Sequence, residues 1–166
     1  MPHTLANINA LPVVEFTAML GGVFEHSPWI AERTAAHRPF ASLDALHAAM
    51  CGVVDGSTSE EQLALIRAHP DLVGRIVLTA ESEGEQAAAG LTDLSSAEVA
   101  LFDRYNRDYK ARFGFPFVIC ARLNRKDAIL AAFPVRLQNS AETERNTALA
   151  EIYKIARLRL ADLIAT

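Results

Sequence analysis

The sequence is short of the residues that build special chemistry. Among its 166 residues there are two cysteines, Cys51 and Cys120, far apart in the chain. A disulfide framework or a thiolate zinc site needs more sulfur than that. Both lie among apolar neighbours (Ala49-Met50 and Val118-Ile119), so buried, reduced thiols are expected. Cationic charge is also scarce. Sixteen Lys and Arg face twenty Asp and Glu, a net charge of −4, which offers no positive field to nucleic acid or to an anionic membrane. Partners of either kind are not expected. No stretch approaches the roughly 18 consecutive apolar residues of a membrane helix.

Several signatures are missing as well. Met1-Pro2-His3-Thr4 lacks the basic start and apolar run of a signal peptide. Leu163-Ile164-Ala165-Thr166 is not a peroxisomal address of the Ser-Lys-Leu type. The expected location is cytoplasmic. No His-x3-His, His-Glu-x2-His or Cys-x2-Cys spacing occurs, and although His26, His69, Asp71 and Glu85 could converge through folding, no metal site is expected. There is no Gly-x-Ser-x-Gly elbow for a nucleophile, no phosphate-binding P-loop and no Gly-x-Gly-x-x-Gly turn for a dinucleotide. No cofactor is expected.

What is present is a chain 51% hydrophobic and 22% charged, the balance of a globular protein rather than a disordered one. Its length suits one domain over residues 1–166. Helical periodicity runs through most of it. Pro12 opens a helix with Val13, Phe16 and Leu20 on one face, ended by Gly21-Gly22. Ser27 is the expected cap of a short helix over 29–36, and Ser42 that of a helix reaching about Val54. Ser59 and Gln62 form a capping-box pattern for a helix ending near Ala68. Residues 73–90 are harder to read, with one short helix over 83–89. Ser95 and Glu98 form a second box, opening a helix with Phe102, Tyr105, Tyr109 and Phe113 on one face. Gly114-Phe115-Pro116 stops it. Asn124 is the expected cap of the next helix, in which Pro134 predicts a kink or an early end. Ser140 begins a last helix to about Ile164. One short extended segment, near 115–121, has no strand to pair with. Phe113 to Phe117 is read as core packing. The expected fold is all-α, with about seven or eight helices.

Two residues stand out on physical grounds. Arg159 lies seven residues after Ile152 and four after Ile155, so at about 100° per residue it points into the apolar stripe of the last helix, whereas Arg157 points away. A buried arginine cannot shed its charge and needs an anion. That anion is an internal carboxylate, unless the side chain snorkels out, or it is a substrate carboxylate gripped by the planar fork. His69 lies just past a helix end, held extended by Pro70. Its pKa range suits proton transfer, and a surface or capping histidine is the plain alternative. His26 supports a weaker version of the same argument.

Taken together, the unusual segments resemble the 2-oxo-4-hydroxy-4-carboxy-5-ureidoimidazoline (OHCU) decarboxylases. The matching pieces are Phe24-Glu25-His26-Ser27-Pro28-Trp29, Arg38-Pro39-Phe40, Ala68-His69-Pro70-Asp71-Leu72 with Gly74, and Ser82-Glu83-Gly84-Glu85-Gln86 with Gly90-Leu91. They continue with Phe113 through Ala121, then Glu151-Ile152, Lys154-Ile155-Ala156 and Leu158-Arg159-Leu160. They come in the family's order over nearly the whole chain. The resemblance implies an all-α fold, commonly a homodimer, and the decarboxylation of OHCU to (S)-allantoin and CO2 at the end of urate breakdown, without metal or organic cofactor. It implies that His69 is the catalytic proton donor, with Glu85 and Arg159 as further catalytic-site residues. Pro70, Ser82, Gln86 and the stretch Phe117, Val118, Ile119, Cys120 and Ala121 would bind substrate, the stretch largely through its backbone. A catalytically silent helical ligand-binding module is the alternative within the same fold.

Overall fold

A computed structural model describes residues 3–74 and 78–165; residues 75–77, inside the stretch 73–90, lie outside it. Helices dominate as expected. Among the described residues there are nine α-helices, and strand is confined to two residues at each end. The chain divides into two units: residues 3–68 with 153–165, and His69 to Ile152.

The first unit begins with β1, His3–Thr4, paired in parallel with β2, Ile164–Ala165. Helix α1, Leu5–Ala10, is capped by the Thr4 hydroxyl, which accepts from the Asn7 N–H at 3.2 Å. At six residues it is too short to show a period, and the sequence did not predict it. Helix α2, Val13–Leu20, buries Phe16 and Leu20. Val13, expected on the same face, is 47% exposed, because the first turn lies at the edge of the contact. Then come α3, Trp29–Thr34, a 3-10 turn over Ala35–His37, and α4, Leu43–Asp55. Helix α3 packs against both α2 and α4. Ser42 caps α4 as read, accepting from the Ala45 N–H at 3.0 Å. The core here is Ile8, Phe16, Leu20, Ile30, Leu46, Met50 and Leu65, all almost fully buried.

Two caps differ from their expectation. The box of α5, Ser59–Arg67, is Thr58 with Glu61, one residue earlier than Ser59 with Gln62. Thr58 has the extended backbone a cap requires, and a carboxylate at the third helical position also suits the positive end of the helix. The Arg33 guanidinium beside Glu61, at 2.6 Å, holds that carboxyl below its usual range. Gln62, in turn, donates its amide to the Val54 carbonyl at 2.9 Å, satisfying the end of α4. Ser27 is not a side-chain cap: Pro28 occupies that position, and the Ser27 hydroxyl donates to the Glu25 carbonyl at 2.8 Å.

The second unit contains α6, Ala80–Ala88, capped by Thr79, and α7, Ser96–Phe113, with the predicted Ser95–Glu98 box. Gly114 ends α7 at φ 77°, a left-handed conformation that glycine adopts without penalty. The chain runs extended to Cys120, makes a 3-10 turn over Ala121–Leu123, and enters α8, Lys126–Leu137. Arg125, not Asn124, precedes α8 at the cap position, and no side chain caps that helix. The Asn124 amide turns back and donates to the Cys120 carbonyl at 3.0 Å. Pro134 does not end α8 early. It sits in the final turn, where only one backbone bond is lost. Helix α9, Ala141–Leu163, follows Ser140, whose hydroxyl accepts from the Thr143 N–H at 3.1 Å.

The shared face of α7 became an aromatic cluster. Phe133 stacks on Phe117 with centroids 3.8 Å apart and on Tyr105 at 5.1 Å, while Tyr109 meets Phe117 edge-on at 5.3 Å. Phe115, Pro116 and Phe117 are buried, so the core reading of Phe113 to Phe117 holds for its second part, while Phe113 is half-buried and Gly114 exposed.

The off-by-one cap is directly testable. Thr58→Ala should lower stability in urea denaturation by about 1 kcal/mol. Ser59→Ala should change it by no more than about 0.5 kcal/mol; the reverse order would return the cap to Ser59.

Candidate active site

His69 begins the second unit, immediately after α5 and its cap residue Ala68. It is 8% exposed, which removes the reading of an ordinary surface histidine. The loop behind it is tied down at consecutive residues. The Val73 N–H donates to Gln86 Oε1 at 3.1 Å, and the Gln86 amide donates to the Asp71 carbonyl at 3.4 Å. Asn106 on α7 donates to the Leu72 carbonyl at 2.8 Å. Lys110 pairs with Asp71 at 2.6 Å on the outer side. Val73 has φ 58°, a conformation costing a β-branched residue about 1–3 kcal/mol. The side-chain ties hold that strained turn in place.

Helix α6 and its cap residue Ala89 present Ser82, Glu85, Gln86 and Ala89 at i, i+3, i+4 and i+7, hence on one face. Ser82, Gln86 and Ala89 are buried and Glu85 is half-buried. This face packs toward the 3-10 turn that follows Cys120, and the Lys126 N–H reaches the Ala89 carbonyl at 3.2 Å. Burial pushes the Cys120 thiol up, and the Glu151 and Glu85 carboxylates add to the effect. The second unit thus brings together the loop after His69 and Pro70, the Ser82–Glu85–Gln86 face, and the stretch Phe117 to Ala121.

Within that stretch, side chains hold one edge of the backbone. Arg136 Nη1 donates to the Val118 carbonyl at 2.6 Å, and the Cys120 N–H donates to Glu151 Oε1 at 3.2 Å. Gln86 and the Cys120 backbone, both predicted to bind substrate, thus make bonds within the protein.

Arg159 belongs to the first unit and points inward as its helical phase predicted, at 4% exposure. Nη2 donates to Glu25 Oε2 at 2.9 Å and Nη1 to the Gly22 carbonyl at 3.0 Å. Arg157, on the other side, meets the exposed Asp44 at 3.0 Å. Sequence reasoning missed Glu25 as the internal anion. It stands between buried Phe24 and a turn in which His26 has φ 46°. That turn aims Glu25 inward and leaves the His26 side chain 65% exposed, so His26 is a poor candidate for shielded proton transfer. The thiols are both free and inert in character: Cys120 is buried, Cys51 only half-buried rather than fully so, and burial pushes Cys51 up to about 12.

Comparison with known proteins decides the family. A profile of the OHCU decarboxylases matches residues 9–161. The chain belongs to the OHCU decarboxylase family. The 2-oxo-4-hydroxy-4-carboxy-5-ureidoimidazoline decarboxylase of Haloferax volcanii is 46% identical over 96% of this chain and 95% of its own. The uric acid degradation bifunctional protein PucL of Bacillus subtilis is 45% identical over 97% of this chain, which spans 33% of that longer protein. The crystal structure of (S)-allantoin synthase superposes with a TM-score of 0.81 at 32% identity, covering 99% of this chain and 55% of that one.

The buried pair in the first unit yields a clear expectation. Glu25→Gln leaves the Arg159 charge without its carboxylate and should cost about 3 kcal/mol or more in denaturant unfolding. A loss below about 1 kcal/mol would show that Glu25 is not what balances Arg159.

Proposed function

We propose that this protein is a carboxy-lyase that converts OHCU to (S)-allantoin and CO2 in urate degradation, with His69 as the acid. The observation that carries the reading is the burial of His69 at the head of a loop pinned by Gln86 and Asn106, in a chain of this family. A proton can be delivered to one face of an intermediate only by a donor that is held still and shielded from water.

The reaction needs little from the protein beyond placement. The C–COO⁻ bond breaks, CO2 departs, and the bonding pair enters the conjugated imidazolone ring. The pair forms a C4=C5 double bond as the C5=N pair moves onto the ring nitrogen. His69 then gives its proton to C5, the carbon bearing the ureido group. The C4 hydroxyl proton passes to the ring nitrogen as C4 becomes the carbonyl of allantoin, and solvent restores the proton to the imidazole. A positioned acid of this kind contributes roughly 10²–10⁴ in rate. Glu85 either sets the tautomer of His69 or binds ureido N–H groups. Arg159 takes the anionic group of the substrate, a role compatible with Glu25 because a guanidinium carries five N–H donors. Pro70, Ser82, Gln86 and the stretch Phe117, Val118, Ile119, Cys120 and Ala121 shape the substrate site, with Gln86 acting also through the loop it holds. The same reading makes the enzyme a cytoplasmic homodimer that works without metal or organic cofactor.

The test generates OHCU in situ from urate with the two upstream enzymes and follows (S)-allantoin by circular dichroism. Wild-type protein should give a rapid (S)-allantoin signal; slow, racemic product alone would refute the assignment. His69→Asn should stay folded and lose turnover by at least about 10²-fold. Retained turnover would move the proton donor elsewhere. In the same assay Arg159→Lys keeps the charge but loses the fork, and should lower kcat/KM by about tenfold or more.

A further inference from the structure

Arg136 is a buried cation to which the reaction above gives no task. It lies seven residues after Ile129 and three after Phe133, on the buried side of α8, and is 7% exposed. All three of its nitrogens are engaged within the second unit. Nε donates to Glu144 Oε1 at 2.7 Å, Nη1 to the Val118 carbonyl at 2.6 Å, and Nη2 to the Tyr109 hydroxyl at 3.5 Å. The guanidinium also sits 4.1 Å from the centroid of the Phe117 ring. Glu144, fully buried, accepts from the Tyr109 hydroxyl at 2.6 Å and from the Asn139 amide at 2.9 Å. A buried ion pair is a weak source of stability, since apolar residues of the same volume often serve as well. What this one holds is therefore the better clue to why it is there.

It holds one of two successive peptide units in a segment without regular secondary structure. In a planar trans peptide the C=O and the N–H point to opposite sides. Arg136 takes the Val118 carbonyl and Glu151 takes the Cys120 N–H. The Ile119 N–H, in the first of these units, therefore points away from Arg136, and the Ile119 carbonyl, in the second, away from Glu151. Among the described residues, neither the Ile119 N–H nor its C=O has a hydrogen-bond partner, although the residue is only 9% exposed. A sheltered amide left unpaired costs free energy, and proteins leave few of them.

We propose that Arg136, braced by Glu144 and Tyr109, is a positioning residue that locks the Val118–Cys120 backbone so that the Ile119 N–H and C=O are presented to the substrate. This rests on the function proposed above and adds residues that do not touch substrate. Arg136 acts through Val118, and the fork geometry matters because a single lysine ammonium cannot hold Glu144, the Val118 carbonyl and the Phe117 face at once.

The experiment measures OHCU kinetics of wild type, Arg136→Lys and Tyr109→Phe, with unfolding midpoints for each. Arg136→Lys should raise KM about tenfold with kcat changed by less than about threefold, because a backbone cradle contacts ground state and transition state alike. Tyr109→Phe removes only the hydroxyl brace and should raise KM about two- to threefold. It keeps the ring in the aromatic cluster, so it decides the matter alone if Arg136→Lys does not fold. A folded variant with wild-type KM and merely a lowered midpoint would overturn the proposal, leaving the network a packing device. Failure of wild type to turn over OHCU would instead overturn the functional reading, and the positioning role with it.

Discussion

An extended backbone among helices has to find hydrogen bonds without a neighbouring strand. The stretch from Phe115 to Cys120 faces that demand, and much else in the second unit answers to it. Charged side chains reach it from both following helices, Arg136 from α8 and Glu151 from α9. The Phe117 ring is clamped between Phe133 and Tyr109. Those contacts fix where α7, α8 and the first part of α9 meet, and the Ser82–Glu85–Gln86 face packs beside the same segment's end.

Charge inside this protein follows one pattern. Arg136 with Glu144 and Arg159 with Glu25 are each buried cations that reach a carboxylate and a backbone carbonyl together. A guanidinium used this way does two jobs at once. Its charge is balanced by the carboxylate, and its remaining donors fix a piece of irregular chain that helical bonding cannot hold. In the first unit that piece is the turn from Gly22 to Ser27, and in the second it is the Val118 carbonyl.

Helix positions were readable because their cause is periodic. The faces of α7 and α9 emerged from spacing alone, and Arg159 was placed inward by phase. Helix starts were less readable: neighbouring Thr58 and Ser59 offer equivalent hydroxyls, and the choice depends on which backbone turns extended. Arg136 obeys the same phase rule as Arg159, but Pro134 two residues earlier made the continuation of α8 uncertain and hid the pattern. The partners Glu25, Glu144 and Glu151 were not legible at all. Each pairing joins positions tens of residues apart or crosses between elements, and nothing local marks it. His69 was visible as a rigidly placed histidine, whereas its burial and the strained Val73 behind it are products of tertiary packing.

The short parallel pairing of His3–Thr4 with Ile164–Ala165 sets the two ends of the described chain side by side, about 5 Å apart as neighbouring strands are. A polypeptide that leaves where it enters behaves as a cassette. It can be spliced in line with other modules without stretching across its own surface, and its ends could be joined by a few residues while new ones are opened in an exposed loop. Such a geometry suits a unit that in PucL makes up a third of a longer chain.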